Sequence, residues 1–182
     1  MSGHDVLIVG AGPTGLTLAL ALARAGVSFR IIDKSAVPAE ESRALAIHAR
    51  SLEIFSQLGV ARSFLQEGRR VAGVRFFVRG RAVGSLRLDD IESFGSAFPF
   101  ILNLEQRTTE QILLAKLKEL GVAVERSTEL VSLHSEPEGA RVTLARRDAP
   151  HGAERKRLRR SQIDYAASPP RSQPDPTNAP KS

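Results

Sequence analysis

The chain has 182 residues, is 42% hydrophobic and 25% charged, and contains no cysteine. That length and balance predict one globular domain with a sizeable core, and the missing cysteines exclude disulfides and thiolate metal sites. The net charge of +6 is carried entirely by residues 141–160, where eight Lys or Arg face two acids. No aromatic residue lies in that run for base stacking, so no nucleic-acid partner is expected. The apolar run at 6–9 is too short to span a bilayer and follows no basic region, so neither a membrane partner nor a secretory signal is expected. The expected compartment is the cytoplasm.

Residues 5–10, "DVLIVG", read as a buried parallel strand, and Pro13 to Ala25 as a Leu- and Ala-rich helix ended by Gly26. "SFRIID" at 28–33 is the next strand. "HARSLEIFSQL" at 48–58 places Leu52, Phe55 and Leu58 on one helical face, with Gly59 as the stop. Residues 73–79 and 82–88 predict antiparallel strands about a Gly80-Arg81 turn, and "FPFILNL" at 98–104 a further strand. Thr108 to Leu120 predicts a helix. "VAVERS", "ELVSLHS" and "ARVTLAR" then read as three strands. After Arg147 the periodicity fails, and residues 148–182 read as a basic, then Pro- and Ser-rich, disordered tail. The domain division is therefore 1–147 and 148–182.

Gly10, Gly12 and Gly15 fit the G-x-G-x-x-G pattern, with a strand before, a helix after and an acid, Asp33, closing the next strand. This context points to a dinucleotide. Gly10 permits the tight turn, Gly12 lets the backbone approach a pyrophosphate, and Gly15 lets the helix lie close on the strand. The helix N-terminus offers free N–H groups to phosphate. Asp33 is placed to accept from a ribose hydroxyl, which favours a ribose without a 2′-phosphate. Pro13, Thr14 and Lys34 flank this cradle. The turn does not separate NAD from FAD, because both carry the adenosine diphosphate it reads.

Further segments separate them. "GAGPTGLTLALALARAGVSFRIIDKS", "SRALAIHARSLEIFSQLGV" and "FPFILNLEQRTTEQILLAKLKELGVAVERSTELVSLH" resemble the FAD-dependent aromatic-ring hydroxylases, the single-component flavoprotein monooxygenases related to phenol and para-hydroxybenzoate hydroxylases. The resemblance covers residues 4 to about 146. It implies an α/β fold: a Rossmann-type FAD-binding parallel sheet with an antiparallel strand excursion, within 73–104, from an incomplete substrate domain. It implies that Gly10, Gly12, Pro13, Thr14, Gly15, Asp33 and Lys34 hold the ADP half of FAD. It implies that Arg43 meets the flavin pyrophosphate and Gln106 the cofactor. A fixed Arg suits a pyrophosphate because it can pair with it bidentately. Gln106 also reads as a cap partner, His48 as a capping or surface residue, and Arg50 as solvated.

The implied activity is an aromatic hydroxylation in which NADH or NADPH reduces FAD and O₂ supplies the oxygen, with a small aromatic substrate and no catalytic side-chain triad or metal. Rival readings are a stand-alone dinucleotide-binding module with a basic interaction tail, and a halogenase or dehydrogenase with the same front end. Two later motifs of the resembled family, an Asp-Gly-Ala-Arg-Ser type stretch and a Gly-Asp-Ala-Ala-His type stretch, are absent. The first belongs near residue 158, and codons permitted for Arg157 to Asp164, read one base later, encode Gly-Cys-Asp-Gly-Ala-Arg-Ser. A frameshift near 150–157 in a truncated chain that does not itself turn over is the expectation that follows, with a genuine short paralogue or a divergent linker as the alternatives.

Overall fold

The computed structural model describes residues 4–38, 44–88, 95–137, 139–147 and 158–166. Strand β1 (Val6–Val9) leads through the glycine turn into helix α1 (Pro13–Arg24), and β2 (Phe29–Ile32) returns parallel to β1. Gly26, at φ +68°, reverses the chain between α1 and β2, a conformation glycine adopts without strain. A third parallel position comes from Glu125, whose N–H donates to Ile31 O at 2.9 Å and whose carbonyl accepts from Asp33 N–H at 3.0 Å. The expected strand over 122–127 is thus a single bridge. Ser127, at φ +56°, ends it at once.

Strand β3 (Ala44–Ile47), helix α2 (Ala49–Gln57), helix α3 (Ala61–Glu67) and β4 (Arg69–Arg70) follow. Strands β5 (Gly73–Val78) and β6 (Arg81–Arg87) form the antiparallel ribbon expected from the sequence, with a bulge at Phe76/Phe77. Strand β7 (Leu102–Glu105) joins β3 and β4 in an antiparallel sheet of order β3-β7-β4, and helix α4 (Gln106–Glu119) continues directly from it. The sequence reading lacked β3, β4 and α3, and placed β7 too early. Phe98 and Phe100 precede the strand, meet edge to face at 6.3 Å, and Arg70 lies 4.0 Å over the Phe100 ring.

Strands β8 (Thr128–Glu136), β9 (Gly139–Arg147) and β10 (Leu158–Ala166) form an antiparallel sheet of order β10-β9-β8. This corrects the reading of 148–182 as a disordered tail, since residues 158–166 pair with β9 from Leu158–Arg147 through Ala166–Gly139. Strand pairing uses backbone groups, so an extended edge at β9 recruits a segment whose side chains carry no periodic signal. The rest of that tail lies outside the described residues.

The main core joins Leu16 and Leu20 of α1, Leu52 and Phe55 of α2, Phe64 of α3, and Leu113 and Leu117 of α4. Phe55 and Phe64 stack at 4.2 Å. A second cluster of Ile32, Val142 and Leu144, with Leu7 and Leu130 against it, seats the β8–β9 hairpin on the parallel strands. That seating brings the start of β8 beside the end of β2. Among the described residues, no helix is long and apolar enough to cross a membrane.

Candidate functional site

The glycine turn has the mechanics its sequence predicts. Gly10 adopts φ +103°, and its N–H donates to Ile32 O at 2.8 Å, tying the turn to β2. A Cβ on Gly15 would collide with the Gly10 carbonyl oxygen, so only glycine lets α1 approach β1 this closely. Gly12 is different: a Cβ there would meet nothing within 4 Å. The chain itself leaves that side open, at the N-cap of α1, where Pro13 opens the helix and no side chain caps the free N–H groups.

Asp33 follows β2 and braces this loop. Its Oδ2 accepts from Ala11 N–H at 2.7 Å and its Oδ1 from Ser35 N–H at 2.7 Å. Arg126 Nη1 lies 3.8 Å from Oδ2. Burial disfavours the charge on Asp33, but the hydrogen bonds from Ala11 and Ser35 and the Arg126 charge outweigh it and hold the carboxyl below its ordinary value. Each oxygen keeps a lone pair for a ligand hydroxyl. A second ion pair supports the same corner, with Arg30 Nε and Nη2 each 2.8 Å from a Glu125 carboxylate oxygen. The Arg30 side chain is first among the causes that lower the Glu125 pKa, and it prevails over desolvation.

Two cavities flank the turn. One, of about 450 Å³, is lined by Gly10, Asp33, Lys34 and Ser35 and by Thr128 and Leu130 of β8. The other, of about 510 Å³, is lined by Pro13, Thr14, Ile47, Ser51, Phe55 and Thr109. Thr109 on α4 is buried, and its Oγ1 has no hydrogen-bond partner. A buried hydroxyl without a partner, on a residue that lines a cavity, marks a place for a polar ligand group or water. The open side of Gly12 and this hydroxyl fit an extended ligand with a phosphate bridge at its middle.

The fold therefore brings Gly10, Gly12, Pro13, Thr14, Gly15, Asp33 and Lys34 to one edge of the parallel strands, as expected. Arg43 lies outside the described residues. Gln106 opens α4, and its Nε2–H donates to Glu110 Oε1 at 2.9 Å. His48 is the exposed N-cap of α2 but makes no side-chain cap bond, and Arg50 pairs with Glu53 at 3.0 Å with its side chain 77% exposed. Sequence reasoning missed Thr109, Glu110, Arg126 and the β8 wall. Arg126 and β8 reach Asp33 from about a hundred residues away, so no local pattern announces them. Thr109 and Glu110 sit among polar residues of a helix whose buried face is fixed only by packing. Among the described residues, no cluster of His, Asp or Glu suits a metal ion.

A parallel strand–turn–helix with an open glycine N-cap and a braced acid defines a dinucleotide-binding α/β domain. The chain belongs to the FAD binding domain family, which matches residues 3–159, and FAD is its cofactor. It is 45% identical over 129 residues to 6-methylpretetramide 4-monooxygenase of Streptomyces rimosus, covering 70% of this chain and 23% of that protein. It is 37% identical over 141 residues to rifampicin monooxygenase of Streptomyces venezuelae, covering 78% of this chain and 28% of the relative. Among solved structures, the flavin-dependent monooxygenase PieE in complex with FAD and substrate superposes with a TM-score of 0.73 at 28% identity, over 90% of this chain and 30% of PieE. The resemblance read from the sequence is borne out, as is the α/β fold. The chain spans between a fifth and a third of these relatives' length.

Proposed function

We propose that this chain is the FAD-binding part of an NADH- or NADPH-dependent monooxygenase that hydroxylates a small aromatic substrate with O₂ in the cytoplasm. The observation that carries the reading is the open face of Gly12 between two cavities, one ending at Asp33 and the other at Thr109. FAD spans such a gap: the adenosine occupies the Asp33 side, the pyrophosphate crosses Gly12, and the flavin side runs past Pro13 and Thr14. Bound FAD supplies the oxygen-transfer chemistry, and the protein binds and orients it.

In this arrangement the N–H groups at the start of α1 meet the phosphates, and the helix dipole favours their charge. Asp33 accepts from the ribose, and its bonds to Ala11 and Ser35 keep it ionised and fixed. Arg43 pairs with the pyrophosphate, and Gln106 meets the flavin side. Lys34 adds a cation beside the adenosine cavity. The β5–β6 ribbon, within 73–104, is the first piece of the substrate domain. Its exposed Phe76, Phe77 and Val83 support this, because such side chains suit a sheet face that the rest of a substrate domain covers.

The experiment is a titration of the chain with FAD, followed by flavin fluorescence, beside the same titration with NAD. Tight FAD binding without NAD binding is expected, and the reverse preference would remove the reading. Oxygen uptake that depends on an aromatic substrate, in a form carrying the relatives' full length, tests the activity.

A further inference from the structure

We propose that Glu110 is a positioning residue that fixes the polarity of the Gln106 amide, so that Gln106 offers its carbonyl oxygen to a hydrogen-bond donor on the cofactor. This rests on the reading of Gln106 as a cofactor contact. Gln106 is the first residue of α4 and Glu110 lies one turn later on the same face. Glu110 is 3% exposed, whereas Gln106 is only half-buried, so the pair runs from the interior toward the surface. Nε2 and Oε1 are 2.9 Å apart. The Gln106 Nε2–H donates to that oxygen, so the NH₂ end of the amide is the end turned to Glu110. The carbonyl end is then left for whatever faces the other side.

Packing does not explain this carboxylate. Glu110 shares the buried face of α4 with Thr109, Leu113 and Leu117, where a leucine would add apolar contact. A buried carboxylate is unfavourable unless hydrogen-bonded or paired. Among the described residues the side chain that meets it is a neutral amide, and no salt bridge reaches it. The adjacent Thr109 Oγ1 is unpartnered as well. Two neighbouring buried polar groups at the start of one helix, one of them on a residue that lines the cavity beside Pro13 and Thr14, suit a ligand contact better than a core. The donor that an amide oxygen recognises on FAD is a ribityl hydroxyl or the ring N–H.

The test compares Glu110→Gln, Gln106→Leu and the double variant by FAD fluorescence titration, with melting temperatures alongside. A Gln at 110 can present either end, so it no longer sets the amide. Each single variant should weaken FAD by about threefold to tenfold, the worth of one hydrogen bond. The double variant should bind no more weakly than Gln106→Leu alone. Multiplying effects, or an unchanged Glu110→Gln, would overturn the proposal. 3-Methyl-FAD, which lacks the ring N–H, separates the donors: sensitivity to Glu110→Gln persists for a hydroxyl and disappears for the ring. Gly12→Val separates the two levels. If it binds FAD as the parent does, the cofactor reading falls and this proposal with it; if it loses FAD while Glu110→Gln is neutral, only this proposal falls. In the unaltered chain, nitrogen–proton correlation spectra should show one Gln106 side-chain amide proton shifted and protected from exchange relative to exposed Gln57 and Gln66. Rapid exchange of both protons would refute the pairing without any variant.

Discussion

The β1–α1–β2 cradle and the β5–β6 ribbon are both built from strands rich in apolar residues, yet they end in opposite states. Ile8, Leu16, Leu20, Ile31 and Ile32 of the cradle are almost completely buried. Every residue of β5 and β6 is exposed, including Phe77 at 59% and Val83 at 61%. The cradle finds its cover within the described residues: α1 lies on the strand that precedes it, α4 closes over α1, and Val142 and Leu144 pack on Ile32. The ribbon has only its own two strands, and two strands alone bury too little to stabilise themselves. Apolar sequence therefore reports that a surface is meant to be covered, and topology reports by what. The cradle's cover is among the described residues; the ribbon's is not.

This contrast can be broken at several points, in falling order of effect. Gly12→Val should abolish measurable FAD binding, because its side chain would fill the open face at the N-cap of α1. Gly15→Val should instead unfold the cradle, because its Cβ collides with the Gly10 carbonyl. Circular dichroism beside the titration distinguishes them, and a folded Gly15→Val chain would contradict the close approach of α1 to β1.

Leu113→Ala, in the α1–α4 contact, should destabilise the domain by about 2–5 kcal/mol, as removal of a buried leucine commonly does. Denaturant melts measure this. A shift of a few tenths of a kcal/mol would mean that the α4 packing is not a core.

Asp33→Ala should weaken FAD by about 1–3 kcal/mol and loosen the glycine loop, with Asp33→Asn less severe because one acceptor remains. The acid also sets a pH dependence. Its folded pKa is lowered, so its contribution to stability is present above the ordinary carboxylate range and is lost as pH falls through the lowered folded value. Glu125 is lowered as well and acts in the same direction. The gap in melting temperature between the parent and Asp33→Asn should accordingly narrow from pH 6 to pH 3. A gap that widens on acidification would show that the sign is wrong.

Phe77→Lys should leave the chain's stability within about 0.5 kcal/mol, since this ring is already in water. It should also improve solubility by breaking an apolar patch. A loss comparable with Leu113→Ala would mean that the ribbon is covered after all, by another part of the chain or by a second copy.

The sequence by itself determined the cradle. Three glycines at fixed spacing, an apolar strand before them, a helix former after them and an acid at the end of the next strand are local facts, and local geometry turns them into a tight turn with an open helix N-cap. It also determined α2 and α4, whose apolar spacing matches a helical turn, and it placed Gln106 at a helix start. Only the tertiary structure decided the rest. Strands β3 and β4 are four and two residues long and exist because β7 pairs with both. The run 122–127 became a single bridge, while 158–166 became a full strand, because pairing depends on which backbone edge is within reach. Glu110, Thr109 and Arg126 read as ordinary helix and loop residues until packing buries the first two on α4 and brings Arg126 to Asp33. Burial of a polar group depends on distant neighbours, and no spacing along the chain encodes where those neighbours will be.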